Sequence, residues 1–256
     1  MKVIILCGGM GTRISEETDE RPKPMVAIDE QPILWHIMDN FARQGFNEFI
    51  LALGYKSEVI KRWLIDLNHL SGSINVDTLN KTVNHVSEHA EINWKVTALE
   101  TGLHTQTADR IAQCMAIYPD DLFLATYGDG LSDVPISNLI DFHNAHGKLA
   151  TVTAVRPPAR FGHMEIHDNV VDRFGEKNQS DEGWINGGYF VLNRRILDYH
   201  TRPSEPFETS IIYDLVREKE LMAYQHEGFW QPMDTLREKR ILSNYLLNGE
   251  RPWRVV

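Results

Sequence analysis

The chain has 256 residues, 42% of them hydrophobic and 24% charged, which suits a globular protein with a sizeable buried core and argues against a disordered one. Its formal net charge of −10 repels polyanions and no stripe of Lys and Arg offsets it, so nucleic acid is an unfavourable partner, while a small phosphorylated ligand needs only a local cationic pocket. Two cysteines, Cys7 and Cys114, an N-terminus without signal-peptide character and the lack of a run of about 18 apolar residues lead to the expectation of a reduced, cytoplasmic protein with no membrane partner.

Val3-Ile4-Ile5-Leu6 is a short β-branched run ended by Gly8-Gly9, the pattern of a strand buried on both faces of a parallel sheet. The turn Gly8-Gly9-Met10-Gly11-Thr12-Arg13 lets successive backbone N–H groups approach anionic oxygens, and adds the Thr12 hydroxyl and the donor fork of Arg13. Taken alone, it fits a plain strand-to-loop connection equally well. Further on, Arg21-Pro22-Lys23-Pro24-Met25 stiffens the chain around one lysine and presents Lys23 as a fixed point charge suited to the β- and γ-phosphates of a nucleotide. No Gly-Lys-Ser/Thr follows the glycines and no helix pattern begins at Gly11, which excludes a Walker A loop and a dinucleotide fingerprint.

Helical spacing of Ile33, Leu34, Ile37, Met38, Phe41 and Ala42 predicts a helix between Pro32 and Gly45, followed by a strand over 48–53 and a helix from an N-cap Ser57 to about residue 67. Residues 68–93 are polar and without period, and predict a projecting loop or hairpin, a candidate oligomer contact. Strand over 95–99, helix 108–116, strand 122–126, helix 136–146 and strand 149–155 then follow. Beyond residue 155 come shorter strand patterns over 161–166, 170–174 and 188–192, a helix over 210–219, a strand over 222–226 and a last helix over 235–247. This alternation predicts an α/β fold with a doubly wound, mostly parallel Rossmann-like sheet, in one domain over 1–256 whose part from 156 to 256 is an elaboration lining half of the cleft. Ligands of such sheets bind at the carboxyl ends of the strands, which brings Gly8 to Arg13 and Gly128-Asp129-Gly130 to one crevice.

Asp129 stands between glycines after an apolar strand, accessible as a magnesium-binding carboxylate must be, although a turn aspartate has the same look. Asp234, in Trp230-Gln231-Pro232-Met233-Asp234-Thr235, is either a second such carboxylate or the N-cap of the last helix.

The stretch LCGGMGTRISEETDERPKPM, residues 6–25, resembles the signature of the sugar nucleotidyltransferases. The likeness continues through PILWHIM, TYGDG, WINGG and GFWQPMDTLR, and is greatest to those members that make CDP-glucose and pyrophosphate from CTP and glucose 1-phosphate. The resemblance implies a CTP site at Leu6, Cys7, Gly8, Gly9, Met10, Gly11, Thr12, Arg13, Lys23, Thr105, Arg110 and Gly128. It implies a sugar 1-phosphate site at Lys177, Trp184, Asn186, Gly187 and Gly188, and Mg²⁺ held by Asp129 and Asp234. Arg13, Lys23, Asp129 and Asp234 then carry the catalysis, within a nucleotide-binding core over 1–155 and a sugar-binding part over 156–256. A homo-oligomer and a role in deoxysugars of bacterial surface polysaccharide, such as lipopolysaccharide O-antigen, are implied as well. The chain departs from the family in having Asn178 after Glu176-Lys177, where Pro is usual, and Ala108-Asp109 before Arg110, where Gly-Gly is usual. Rival readings are the same chemistry with UTP, dTTP or another sugar phosphate, and an inactive nucleotide-sugar-binding module.

Overall fold

The protein is described by a computed structural model over residues 1–9, 15–69, 74–85, 93–158, 162–167, 170–176 and 183–255. The chain begins with strand β1 (Lys2–Leu6) and the short helix α1 (Ser15–Thr18), then a 3₁₀ turn at Lys23–Met25 and the small strands β2 (Ala27–Ile28) and β3 (Gln31–Pro32). Helix α2 (Ile33–Arg43), strand β4 (Glu48–Leu53) and helix α3 (Ser57–His69) follow, ahead of a hairpin of β5 (Ile74–Asp77) and β6 (Thr82–His85). The core resumes with β7 (Lys95–Glu100), α4 (Thr107–Ala116), β8 (Leu122–Tyr127), β9 (Gly130–Ser132), α5 (Ile136–His146) and β10 (Ala150–Val155). A second hairpin, β11 (Gly162–His167) and β12 (Val170–Glu176), leads to β13 (Ile185–Asn193), a 3₁₀ stretch over Arg194–Tyr199, α6 (Ile211–Arg217), β14 (Leu221–His226), β15 (Trp230–Pro232) and α7 (Leu236–Leu247).

Seven strands form the central sheet in the order β14-β10-β13-β8-β1-β4-β7. The pairs β1–β4, β1–β8, β4–β7 and β10–β14 are parallel, and β13 runs antiparallel to both of its neighbours. The fold is therefore the mostly parallel α/β architecture expected from the sequence alternation, with two strands of the C-terminal part, β13 and β14, belonging to the sheet itself.

Both sheet faces are covered, which explains the continuous apolar runs in place of a hydrophobic-polar alternation. Val3, Ile5, Phe49, Leu51, Leu124 and Val191 turn to one face beneath Leu34, Ile37 and Phe41 of α2, Ile60 of α3, Leu139 of α5 and Leu242 of α7. Ile4, Ile50, Phe123, Ala125, Phe190 and Leu192 turn to the other, beneath Ile111 and Met115 of α4 and Ile211 and Leu215 of α6. Each fully buried side chain of this size contributes roughly 1.5–3 kcal/mol, so the two clusters dominate the stability of the sheet.

One local expectation shifts. Ser57 is the first residue of α3, and its hydroxyl donates to Glu100 Oε1 at 2.6 Å. Of the segment 68–93, the described residues end α3 and form the β5–β6 hairpin, as expected, which exposes Val76, Leu79 and Val83. Among the described residues no helix is long and apolar enough to cross a membrane.

Candidate active site

The parallel register aligns the carboxyl ends of the central strands: Leu6 of β1 pairs with Ala52 of β4 on one side and with Tyr127 of β8 on the other. The connections leaving those ends open into one cleft of about 560 Å³, lined by residues 6–9, Lys23, Pro24, residues 103–107, Arg110 and residues 127–129. Both glycine motifs singled out in the sequence thus meet at one place, and Gly128 N donates to Leu6 O at 3.2 Å. Met10, Gly11, Thr12, Arg13 and Lys177 lie outside the described residues.

The cleft floor is built on Arg110, only 4% exposed. Its Nη1 donates to Leu53 O at 2.7 Å and to Thr101 Oγ1, and its Nη2 to Gly8 O at 3.3 Å. A Cβ on Gly8 would stand 2.2 Å from Arg110 Cζ, so a side chain at this position would displace the guanidinium. None of those partners is a carboxylate, and an uncompensated cation in a low-dielectric floor attracts an anion or an electron-rich ring edge above it. Thr105 lines the same wall, its hydroxyl donating to Thr101 O at 2.5 Å. Asp109, at the family's usual second Gly, faces away: its oxygens bond His200 Nε2 at 2.8 Å and accept from Ser204 N at 2.9 Å, while Ala108 is fully buried. The departure from Gly-Gly braces α4 on the 200–204 loop and leaves the cleft untouched.

At the other end of the cleft Lys23 lies between two carboxylates. Its Nζ is 2.6 Å from Asp129 Oδ2 and 2.5 Å from Asp234 Oδ1, with the lysine 8% exposed. Burial works to lower the Lys23 pKa, and the charges and hydrogen bonds of Asp129 and Asp234 outweigh it, so the ammonium is held above its usual range. The prolines on either side of Lys23 and the 3₁₀ turn they favour hold its backbone in place. Asp234 is not the helix cap that the sequence allowed: α7 is capped by Thr235, whose side chain accepts from Glu238 N while Glu238 reaches back, a full capping box. The Asp234 carboxylate instead meets Lys23. A pair of carboxylates that converges on one ammonium has the charge and the hard oxygen donors for a divalent cation. No cluster of three or more metal-ligating side chains occurs among the described residues, so such an ion would take its remaining ligands from substrate and water.

Trp184 and Asn186, expected to face the sugar phosphate, line a separate, mostly apolar cavity of about 200 Å³ with Ile185, Phe190, Ile212 and Leu221. Arg156 stacks on the Trp184 ring at 4.3 Å, and Trp230 Nε1 donates to Gly187 O at 2.8 Å, pinning the Gly187-Gly188 turn. Asn186 joins this cavity to the main cleft through Tyr127, since its Nδ2 donates to the Tyr127 hydroxyl at 3.3 Å. Cys7 lines the cleft as packing: burial drives its thiol pKa far up, which removes it as a nucleophile.

Six cleft-lining residues, Pro24, Leu103, His104, Gln106, Thr107 and Tyr127, were not among the expected site residues. Leu103, His104, Gln106 and Thr107 flank Thr105, and Tyr127, just past the expected strand over 122–126, is the last residue of β8. Only its place in the TYGDG stretch pointed to it.

A family model described as Nucleotidyl transferase matches residues 2–236. The chain is 43% identical over 258 aligned residues to a glucose-1-phosphate cytidylyltransferase of Salmonella typhimurium, covering 99% of each chain. It is 41% identical over 256 residues to a probable glucose-1-phosphate cytidylyltransferase of Bacillus subtilis, covering all of both. Among solved structures, HddC from Yersinia pseudotuberculosis shares the fold with a TM-score of 0.67 at 21% identity, over 96% of this chain and 99% of that one.

Proposed function

Since the chain belongs to the nucleotidyl transferase family, we propose that it catalyses the reaction for which its Salmonella relative is named, cytidylyl transfer from CTP to glucose 1-phosphate. An oxygen of the sugar phosphate attacks the α-phosphorus of CTP in line, the new P–O bond forms as the bond to the β-phosphate breaks, and CDP-glucose and pyrophosphate result. The attacking phosphate is already ionised, so no enzyme nucleophile or general base is needed.

The observation that carries this reading is the meeting of Lys23, Asp129 and Asp234 at the edge of a cleft floored by Arg110. In the proposed site the backbone at Gly8-Gly9 and the Arg13 side chain receive the triphosphate. Lys23 neutralises the leaving pyrophosphate, Thr105 and Arg110 face the base, and Asn186 with Lys177 takes the sugar phosphate. A divalent ion, taken as Mg²⁺, would be held by Asp129 and Asp234 and would supply charge neutralisation between the phosphates. Lys23 pairs with both carboxylates. A cytoplasmic location fits the two buried thiols, Cys7 and Cys114, which form no disulfide. A homo-oligomer is supported by the exposed apolar side chains of the β5–β6 hairpin.

The test is pyrophosphate release with CTP, UTP, dTTP and GTP, each crossed with several sugar 1-phosphates in Mg²⁺. The expected result is turnover with CTP and glucose 1-phosphate at least tenfold above any other pair. Turnover with UTP or dTTP and none with CTP would overturn the base assignment, and no turnover with any pair would leave a binding module.

A further inference from the structure

Glu208 lies between the 3₁₀ stretch at Arg194–Tyr199 and α6, exposed, with no local pattern that marks it. Its carboxylate nevertheless joins both sides of the site. Tyr127 Oη donates to Glu208 Oε1, and Thr107 Oγ1 donates to Glu208 Oε2 at 3.4 Å. Tyr127 and Thr107 line the main cleft, and Asn186 Nδ2 donates to the same Tyr127 oxygen at 3.3 Å.

The directions of these bonds follow from the donor inventory. A carboxylate only accepts, so the single phenolic proton of Tyr127 is committed to Glu208 and the phenol offers Asn186 lone pairs alone. Asn186 must therefore turn its NH₂ to Tyr127 and its carbonyl away, and Asn186 Oδ1 indeed accepts from Gly188 N at 2.8 Å. One N–H of the carboxamide is spent on Tyr127, and the second remains to be offered to a hydroxyl or phosphate oxygen. The Tyr127 ring is in no position to swing away. It packs edge-on to Phe190 with centroids 6.0 Å apart, and against Gly188, where a Cβ would come 2.6 Å from Tyr127 Cδ2. Burial, reinforced by the Glu208 charge, raises the phenol pKa and keeps the proton in place.

We propose that Glu208 is a positioning residue for the sugar phosphate: through the Tyr127 hydroxyl it sets the orientation of the Asn186 carboxamide, and with it the donor presented to the sugar. This rests on the reading of Asn186 as a sugar-side residue. Without the carboxylate the Tyr127 hydroxyl is free to turn its proton toward Asn186, the Asn186 N–H loses its acceptor there, and the carboxamide is held by Gly188 N alone, so its donor is less firmly aimed at the sugar.

The experiment is steady-state kinetics of the full chain with CTP and glucose 1-phosphate varied in turn, together with melting temperatures. Glu208→Ala should raise the KM for glucose 1-phosphate about tenfold, the size of one hydrogen bond, with the KM for CTP and the melting temperature unchanged. Tyr127→Phe should raise it by a similar factor, and Glu208→Gln, whose Oε1 still accepts from Tyr127, should stay within about twofold of wild type. Asn186→Ala combined with Glu208→Ala should be no worse than Asn186→Ala alone, because Glu208 acts only through Asn186. Equal rises in both KM values, or additive effects in the double variant, would overturn the proposal. An unchanged KM for glucose 1-phosphate in Asn186→Ala would instead refute the sugar-side reading of Asn186, and the proposal with it.

Discussion

Lys23 Nζ stands 2.6 Å from Asp129 Oδ2 and 2.5 Å from Asp234 Oδ1, uniting residues 106 and 211 positions apart in the chain. The ammonium occupies the point on which both carboxylates converge, so a divalent ion bound by the same pair competes with it. Lys23→Met should therefore bind Mn²⁺ more tightly than wild type in the absence of nucleotide, measured by electron paramagnetic resonance titration. Its pyrophosphate release should fall about 10²–10³-fold, as when one transition-state-stabilising group is deleted. Equal Mn²⁺ affinity in the two proteins would show that Lys23 and the ion do not share a site.

Asp129→Ala is expected to lose at least about 10²–10³-fold in turnover with the fold intact, because the carboxylate is one-third exposed and outside both core clusters. Pyrophosphate release and circular dichroism measure the two halves of that statement. Wild-type turnover would remove Asp129 from the mechanism.

The capping box at Thr235 positions the first turn of α7 directly after Asp234. Thr235→Ala should cost about 1 kcal/mol and lower the melting temperature by about 2–4 °C, whereas Thr235→Ser should restore it. Equal melting temperatures for Ala and wild type would show that Glu238 alone holds the helix end.

Acid should destabilise the protein through buried histidines. Burial lowers the pKa of His36 and of His143 to about 4, and both are 4% exposed. Each is neutral in the fold, whereas the unfolded chain takes up a proton near pH 6.5. Stability is thus complete above about pH 6.5 and lost as pH falls toward 4, at up to about 1.4 kcal/mol per pH unit for each histidine. His143 Nδ1 and His146 Nε2 both bond Thr151 Oγ1, at 2.9 and 2.8 Å, so protonation there also disturbs β10. Denaturant unfolding between pH 7 and 4.5 should show a shallower acid limb for His143→Gln than for wild type, and parallel limbs would exclude His143 as a source.

Leu79, 88% exposed at the turn of the β5–β6 hairpin, is the most exposed large apolar side chain described. If the hairpin joins copies of the chain, Leu79→Glu should shift the mass measured by light scattering toward the monomer while leaving the melting temperature of the core nearly unchanged. An unaltered mass would place any oligomer contact elsewhere.

The sheet and most of its helices were legible in the sequence because their signals are local: apolar runs ended by glycine for β1 and β8, apolar spacing between Pro32 and Gly45 for α2. The openness of the backbone at Gly8-Gly9 and the fixed charge of Lys23 were legible for the same reason, since glycine and proline act on their own backbone. What Asp234 does was not legible, as a carboxylate just ahead of a helix is equally a cap or a ligand. The capping box at Thr235 removes the cap reading, and Asp234 Oδ1 lies 2.5 Å from Lys23 Nζ. Arg110 becomes a cleft floor only through the packing of α4 beneath Gly8, and Glu208 reaches Tyr127 and Asn186 only because β13 enters the sheet antiparallel beside β8. Periodicity and turn chemistry are written residue by residue, but the partner of a charge or a hydrogen bond across a hundred positions exists only once strand order and register have brought the two together.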